Sequence, residues 1–411
     1  MGKTKHLGLS AERLDRITET LERKYVAPGE IPGSLIQVWR RGELAYTGIT
    51  GSMDLERGKP LREDTIFRIY SMSKPITAVA LMILVEQGLI GLDDDVATHI
   101  PSWKNLAVFA GGVPGAFITT PVKRPMKVID LLTHTAGLTY GFLARTNVDA
   151  AYRKRKVADM PNARGLEGFI EDLAELPLEC SPGDAWNYSV SIDVLGYLVQ
   201  KISGETFGDF LRSRLFEPLG MRDTAFHVPA EKIERFATCY VARPEGGIKL
   251  QDDAQASTYA APAIFESGGG GLVSTAGDYM RFCRMLLNGG ELDGARILSP
   301  KTVALFSLNH LPGGKDMTEL GLAPALFNEA GYAGVGFSLA CGVTIDVART
   351  RLPGTVGEFF WGGAASTAFW IDPKEDLAVV FMTQVLQSPH HISLRRDLRT
   401  LVYSALTESD A

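Results

Sequence analysis

The sequence predicts an α/β chain in which one domain is built from both ends and a mostly helical domain is inserted between them. Three observations lead there. Strand-like runs fall before about residue 90 and again after about residue 255, helical periodicity dominates the stretch between, and no repeat or low-complexity segment interrupts either. The expected division is therefore 1–90 with 255–411 for the α/β domain and 91–254 for the helical one. At 411 residues, 45% of them hydrophobic and 22% charged, the chain has enough apolar material for a large core.

Taken in order, residues 10–26 place Leu14, Ile17, Leu21 and Tyr25 at helical spacing behind Ser10, a suitable cap. SLIQVWR and ELAYTGI flank Arg41-Gly42, which predicts a β-hairpin. Thr65–Tyr70 reads as an extended entry to a helix from about Met72 to Gln87, with Ile76, Val79, Ala80, Ile83 and Leu84 on one face and Gly88 at its end. Pro75 fixes where that helix begins, because proline is tolerated only in a first turn, where backbone donors have no partners. The helix must start close to Ser71. Across 90–250 the stretches 128–133, 166–176, 190–203 and 206–215 read as helices, and strand-like runs are sparse. From about Gly268 the pattern is a strand end, a capping box of Thr275 and Asp278, and a helix. STAFWIDPKEDLAVVFMTQ reads as two strands joined by a turn at Asp372 to Asp376, and 393–406 as a closing amphipathic helix.

Composition excludes several function classes. A net charge of −6 spread over a mixed sequence is unlike a nucleic-acid binder, which needs clustered Lys and Arg. The start, MGKTKHLGLSAERLD, has neither the apolar core nor the cleavage site of a signal peptide, and His6 breaks the myristoylation pattern. Ile76 to Val85, the longest strongly apolar stretch, is too short to span a bilayer. Cys180, Cys239, Cys283 and Cys341 are scattered and read as buried free thiols. The expectation is a cytoplasmic protein without a membrane span, its oligomeric state left open.

The chemistry concentrates at Ser71-Met72-Ser73-Lys74, the one S-x-x-K in the chain. A serine hydroxyl is a weak nucleophile until a base removes its proton. At a helix start, S-x-x-K sets serine and lysine one turn apart on the same face. The helix terminus and burial both disfavour an ammonium, leaving an amine able to take the proton. Free N–H groups at the same terminus can form part of an oxyanion hole. Alone the motif is weak, and the bland alternative is a serine cap with a solvated lysine.

The surrounding segments reverse that balance. TIFRIYSMSKPITAVALMILVEQGLIGLDDDV resembles the nucleophile helix of the serine β-lactamase and penicillin-binding protein superfamily. IDLLTHTAGL, SPGDAWNYSVSIDVLGYLVQKISG and LFEPLGMRDTAF are similar to successive boxes of its class C β-lactamase-like branch, and FFWGGAASTAFWIDP to the third catalytic strand of the family VIII carboxylesterases. The matches run in the family's order from about residue 30 to about residue 385. The resemblance implies a β-lactamase/transpeptidase-like fold, an antiparallel sheet flanked by helices. It implies Ser71 as acylated nucleophile, Lys74 as its base and Tyr188 as a proton-sharing partner. A phenol titrates near pH 10, so a nearby cation would be needed to favour its phenolate. The backbone amides of Ser71 and Ala364 would form the oxyanion hole. Trp361, Gly362 and Gly363 would lie along the site, the glycines letting a substrate carbonyl approach, and Tyr140 would line the acyl pocket.

Two departures carry information. β-Lactamases and peptidoglycan-processing relatives have K-T-G on the third strand, and here Trp361 stands at the lysine position. Their Y-x-N reads Tyr188-Ser189-Val190, so the amide side chain is missing too. Both make the site more apolar and point to neutral esters. No G-x-S-x-G occurs, so an α/β-hydrolase elbow is unsupported. His134 reads as a satisfied, partly buried structural histidine, and His390-His391 as surface residues rather than a metal pair. Ser267 to Gly271 (SGGGG) is no phosphate loop, since no Gly-Lys-Ser/Thr follows. The expectation is a carboxylesterase for short to medium-chain esters, needing no metal or organic cofactor, whose partner is a small-molecule ester. The alternatives are a class C-type β-lactamase or D-alanyl peptidase, an acyltransferase, and an inactive ligand-binding relative.

Overall fold

Arg41 and Gly42 both adopt positive φ, 47° and 83°, which is what a two-residue turn between twisted strands demands. They join β1 (Gly33–Arg40) to β2 (Glu43–Asp54), the predicted hairpin. The computed structural model describes residues 4–160, 162–322 and 332–410. β1 and β2 belong to an eight-stranded sheet completed by β3 (Lys59–Pro60), β4 (Val335–Phe337), β5 (Gly342–Thr344), β6 (Phe359–Gly362), β7 (Ala368–Asp372) and β8 (Leu377–Met382). The spatial order is β4-β5-β6-β7-β8-β1-β2-β3, and every neighbouring pair is antiparallel. At its centre β1 pairs with β8, Leu35 opposite Met382, so the two ends of the sequence meet there.

Both faces of this sheet are covered. Before β1 runs α1 (Ala11–Leu21), capped by Ser10 as expected and prolonged by a wider turn over Glu22–Val26. The other principal helices are α2 (Ser73–Glu86), α3 (Ser191–Ser203), α4 (Ala276–Leu287) and α5 (His391–Ser404). Tyr279 of α4 packs on Phe369, while Arg399 of α5 lies over the ring of the next residue, Trp370. Consecutive strand residues point to opposite faces, so α4 and α5 sandwich the sheet. That explains why β7 and β8 are buried at every position instead of alternating.

α2 starts where Pro75 requires, behind a short 3₁₀ turn at Tyr70–Met72. It departs from the expected one-sided helix. Ser73 to Leu84 are all buried, because α3 packs alongside and the core closes around the remaining faces.

The middle of the chain contains strands that the sequence reading missed. Ala107–Val113 pairs with Ala116–Pro121 in a largely exposed hairpin, which has no buried face to impose alternation. Cys239–Ala242 pairs with Ile248–Asp252 and also with Val385–Leu386, so a segment expected in the helical insert joins its strands to the chain's far end. Thr275 caps α4, yet the expected box is only half formed. Asp278 Oδ2 accepts instead from Asp223 N at 2.7 Å and Thr224 Oγ1 at 3.0 Å. The four cysteines are free, with Cys180 only half-buried. No helix among the described residues is long and apolar enough to cross a membrane.

The Thr275 cap lets its contribution be measured. Thr275→Ala should lower unfolding free energy by about 0.5–2 kcal/mol, read from the urea midpoint, while Thr275→Ser keeps most of it.

Candidate active site

Ser71 lies in the 3₁₀ turn that feeds α2, preceded by Tyr70 at a positive φ of 42°. A non-glycine residue in that region is strained, and here it turns the chain sharply into the helix. The turn is pinned from two sides: Tyr279 OH donates to Met72 O at 2.9 Å, and Leu272 N donates to Ser73 Oγ at 3.2 Å. Lys74 follows in the first helical turn, wholly buried. Its Nζ donates to Ser71 Oγ at 3.1 Å and to Gly269 O at 2.7 Å. From the loop entering α3, Tyr188 OH donates to the same Ser71 oxygen at 2.8 Å. Lys74 Nζ stands 4.6 Å from the Tyr188 ring centroid. Trp361 of β6 then donates Nε1–H to Tyr188 OH at 3.3 Å.

Ser71, Tyr188, Tyr140 and Ala364 line one cleft of about 320 Å³. Tyr140 stacks on Phe142 at 4.7 Å and sits 5.4 Å from the Tyr188 ring, and burial raises its hydroxyl pKa well above the usual value. Ala364 follows β6 in a tight turn, closed by Gly363 N donating to Thr367 O at 3.0 Å and Ser366 Oγ donating to Val385 O at 3.0 Å.

Gly362 and Gly363 are packed tightly against protein. A Cβ on Gly362 would lie 1.9 Å from Arg395 Nη2, and one on Gly363 would lie 2.4 Å from Ile69 O. Arg395 Nη2 also donates to Thr367 O at 2.6 Å. A side chain at either position would meet protein: an α5 guanidinium at Gly362, and the Thr367 hydroxyl and the backbone entering the nucleophile turn at Gly363.

The SGGGG segment, set aside on sequence, holds the lysine. Gly269 O accepts from Lys74, and Gly268 O accepts from Thr77 Oγ1 at 2.8 Å. Asp193 Oδ1 accepts from Ser267 Oγ at 2.5 Å and from Gly269 N at 2.9 Å, fixing the loop. A Cβ on Gly269 would come within 2.5 Å of Asp193 Oδ2. Burial raises the Asp193 carboxyl, opposed by the Ser267 bond and the Lys74 charge. The available signal was four consecutive glycines, which a purely flexible loop does not need in a core-rich context.

His134 is fully buried rather than partly buried, and it is not fully satisfied: its buried Nε2 has no hydrogen-bond partner among the described residues. Its Nδ1 accepts from Ser189 N at 3.3 Å, and its ring lies 4.8 Å from that of Tyr188. Burial, then the Lys74 charge, hold it well below the ordinary histidine range, so it supports the tyrosine as a neutral ring. His390 pairs with Glu30 at 3.3 Å. Contrary to expectation, His391 is half-buried, because it opens α5 against the Ala364 turn, with Nδ1 3.3 Å from Ser366 Oγ. No cluster among the described residues could hold a metal ion.

A hydroxyl held between an amine and a phenol, at the mouth of a cleft and a helix start, can support nucleophilic acyl transfer. Comparisons with known proteins show the family to which the chain belongs. The beta-lactamase family model matches residues 18–403. Protein Rv1367c of Mycobacterium tuberculosis is 36% identical over 365 residues, 88% of each chain. Esterase EstB of Burkholderia gladioli is 30% identical over 412 residues, covering 96% of this chain and 95% of its own. Among solved structures, EstCE1, a hydrolase with promiscuous acyltransferase activity, superposes with a TM-score of 0.80 at 26% identity, over 97% of this chain and 99% of its own.

His391 gives the turn beneath the cleft a pH signature. Burial lowers its pKa from 6.5 to about 4. Between those values the unfolded chain binds a proton that the folded one refuses. The histidine's contribution is therefore complete above about pH 6.5 and is lost as pH falls toward about 4. His391→Gln should lose less stability than the parent between pH 7 and pH 4.5 in urea titrations; an equal loss would contradict this assignment.

Proposed function

We propose, from the premise that this chain belongs to the beta-lactamase family, that it is a serine hydrolase cleaving short to medium-chain carboxylic esters through an acyl-enzyme on Ser71. The observation that carries the proposal is the Ser71 oxygen held by both Lys74 Nζ and Tyr188 OH. A neutral Lys74 keeps one N–H on Gly269 O, which turns its lone pair toward the serine proton. Ser71 Oγ then attacks the ester carbonyl. The backbone amides of Ser71 and Ala364 receive the oxyanion. As the C–O bond breaks, Tyr188 protonates the departing alkoxide, and the proton taken from Ser71 stays on the amine–phenol pair. Water repeats the attack on the acyl-enzyme, gives its proton to that pair, and Ser71 recovers its own. Ester and water become acid and alcohol, and the steps use no metal or organic cofactor.

Trp361 argues for esters over β-lactams. Its indole N–H is already directed at Tyr188 OH, so this position offers no cation for a substrate carboxylate. The nearby Arg395 donates to the carbonyls of Gly363 and Thr367 and braces the strand. The named activity of EstB supports ester cleavage. The description of EstCE1 supports a second reading, in which an alcohol replaces water in the last step.

Ser71→Ala should lower p-nitrophenyl butyrate turnover by about four to six orders of magnitude and abolish fluorophosphonate labelling. Appreciable turnover by the variant would reject Ser71 as nucleophile. The parent should cleave butyrate esters with a higher kcat/KM than nitrocefin; the reverse order would favour a β-lactamase.

A further inference from the structure

The cleft at Ser71 does not end at its own far wall. A second cavity of about 350 Å³ adjoins it, and Met160 lines both. Gly270 faces the first and the next residue, Gly271, faces the second. The Met160 methyl lies 3.9 Å from where a Cβ on Gly270 would stand, so one unbranched side chain, 42% exposed, closes over a bare backbone between the two spaces. A methionine is the side chain best able to swing aside without loss of packing.

The two compartments differ in chemistry. The first carries Arg153, Asp159 and Asp193 among its walls, together with Ser71 and Tyr188. The second is walled chiefly by Phe226, Tyr259, Ala261, Pro262, Ile264 and Phe265, and no charged residue is among its described lining residues. Single exposed apolar residues are ordinary on a protein surface. Here Phe142 at 65%, Met160 at 42% and Ile264 at 69% exposure all edge this one double cleft. Large apolar side chains left in water around an apolar cavity mark a ligand surface.

We propose that the second compartment seats a long-chain or ring-bearing hydrocarbon arm of the ester held at Ser71, with Met160 as the movable partition between them. This rests on the ester-hydrolase reading above and names the seat of the longer hydrocarbon arm. The ester group stays at the polar end, and the hydrocarbon passes over Gly270 beneath a displaced Met160. Each methylene that reaches the second compartment adds about fourfold to binding.

The test fills the compartment without touching the reacting groups. Ala261 is exposed and lines only the second space, so Ala261→Trp should fold normally and occlude it. kcat/KM is measured for p-nitrophenyl butyrate against p-nitrophenyl decanoate, which lengthens the acyl arm. Butyl acetate against decyl acetate lengthens the alcohol arm. For one of the two long esters Ala261→Trp should lower kcat/KM at least about fivefold, with both short esters within about twofold of the parent. A variant in which long and short esters change in step overturns the compartment. Should the parent cleave no ester, binding of the apolar fluorophore N-phenyl-1-naphthylamine decides. Binding by Ser71→Ala that is lost in Ser71→Ala/Ala261→Trp keeps the compartment while the hydrolase reading falls. Binding that is absent, or unchanged in the double variant, removes the compartment.

Discussion

The site depends on burying one lysine amine against neutral acceptors. Lys74 is wholly buried, and its two hydrogen-bond acceptors are a hydroxyl and a peptide carbonyl. Withdrawing an ammonium from water costs several kcal/mol unless a counter-charge meets it. The side chain is thereby directed at the Ser71 hydroxyl instead of being held in an ion pair. An ion pair at the same position would satisfy the charge and remove the base. The buried carboxylate of Asp193 is used one step back. It binds Ser267 and the Gly269 amide, and the loop so fixed presents its carbonyl to the lysine. Asp193 thus shapes the backbone that holds the amine without hydrogen-bonding the amine itself.

That arrangement holds only if the helix start cannot shift, and most of the fold contributes to this. Pro75 limits how early α2 can begin. The two residues after Ser71 are tied to Tyr279 of α4 and to Leu272 just before it, through Met72 O and Ser73 Oγ. α4 in turn packs on the central strands, where β1 and β8 join the two ends of the chain. On the far side, Arg395 of α5 fills the space over Gly362 and Ile69 backs onto Gly363, so β6 and the nucleophile turn are set against each other by steric contact. Trp361 then delivers its N–H to Tyr188 from a strand that has no freedom to move.

How far this could be read in advance follows from which residues make local patterns. Ser71, Lys74 and Tyr188 were legible because their segments resemble a known family in order, and the Pro75 argument placed the helix start without it. The central strands were legible as near-continuous apolar runs, and the Arg41-Gly42 turn by its chemistry. What could not be read were pairings whose partner is remote. Asp193 looks like one polar residue in a helix, and only the fold brings it to Gly269. Asp278 sits at the right offset from Thr275, but Asp223 and Thr224 compete for it successfully. The sequence likewise cannot show that Arg395 and Ile69 pack where a side chain at Gly362 or Gly363 would stand.

The same contrast separates chemistry from selectivity. Every group proposed to move a proton stands at the end of a buried element, the start of α2 or the entry to α3, with β6 bracing the tyrosine through Trp361. The walls of the double cleft come instead from the segments around 140–160 and 258–271, which bury Tyr152, Val157 and Phe265 in the core but leave Phe142, Met160 and Ile264 exposed. No hydrogen bond of the Ser71–Lys74–Tyr188 triangle runs through those segments except at Gly269, although the Tyr140 ring packs beside Tyr188. That exception is the one loop position held by a buried carboxylate. The glycine run is therefore divided in its duties: Gly269 is anchored by Asp193 and faces the base, whereas Gly270 is bare and faces the partition. A substitution at the first disturbs the reaction, and one at the second changes what can reach it.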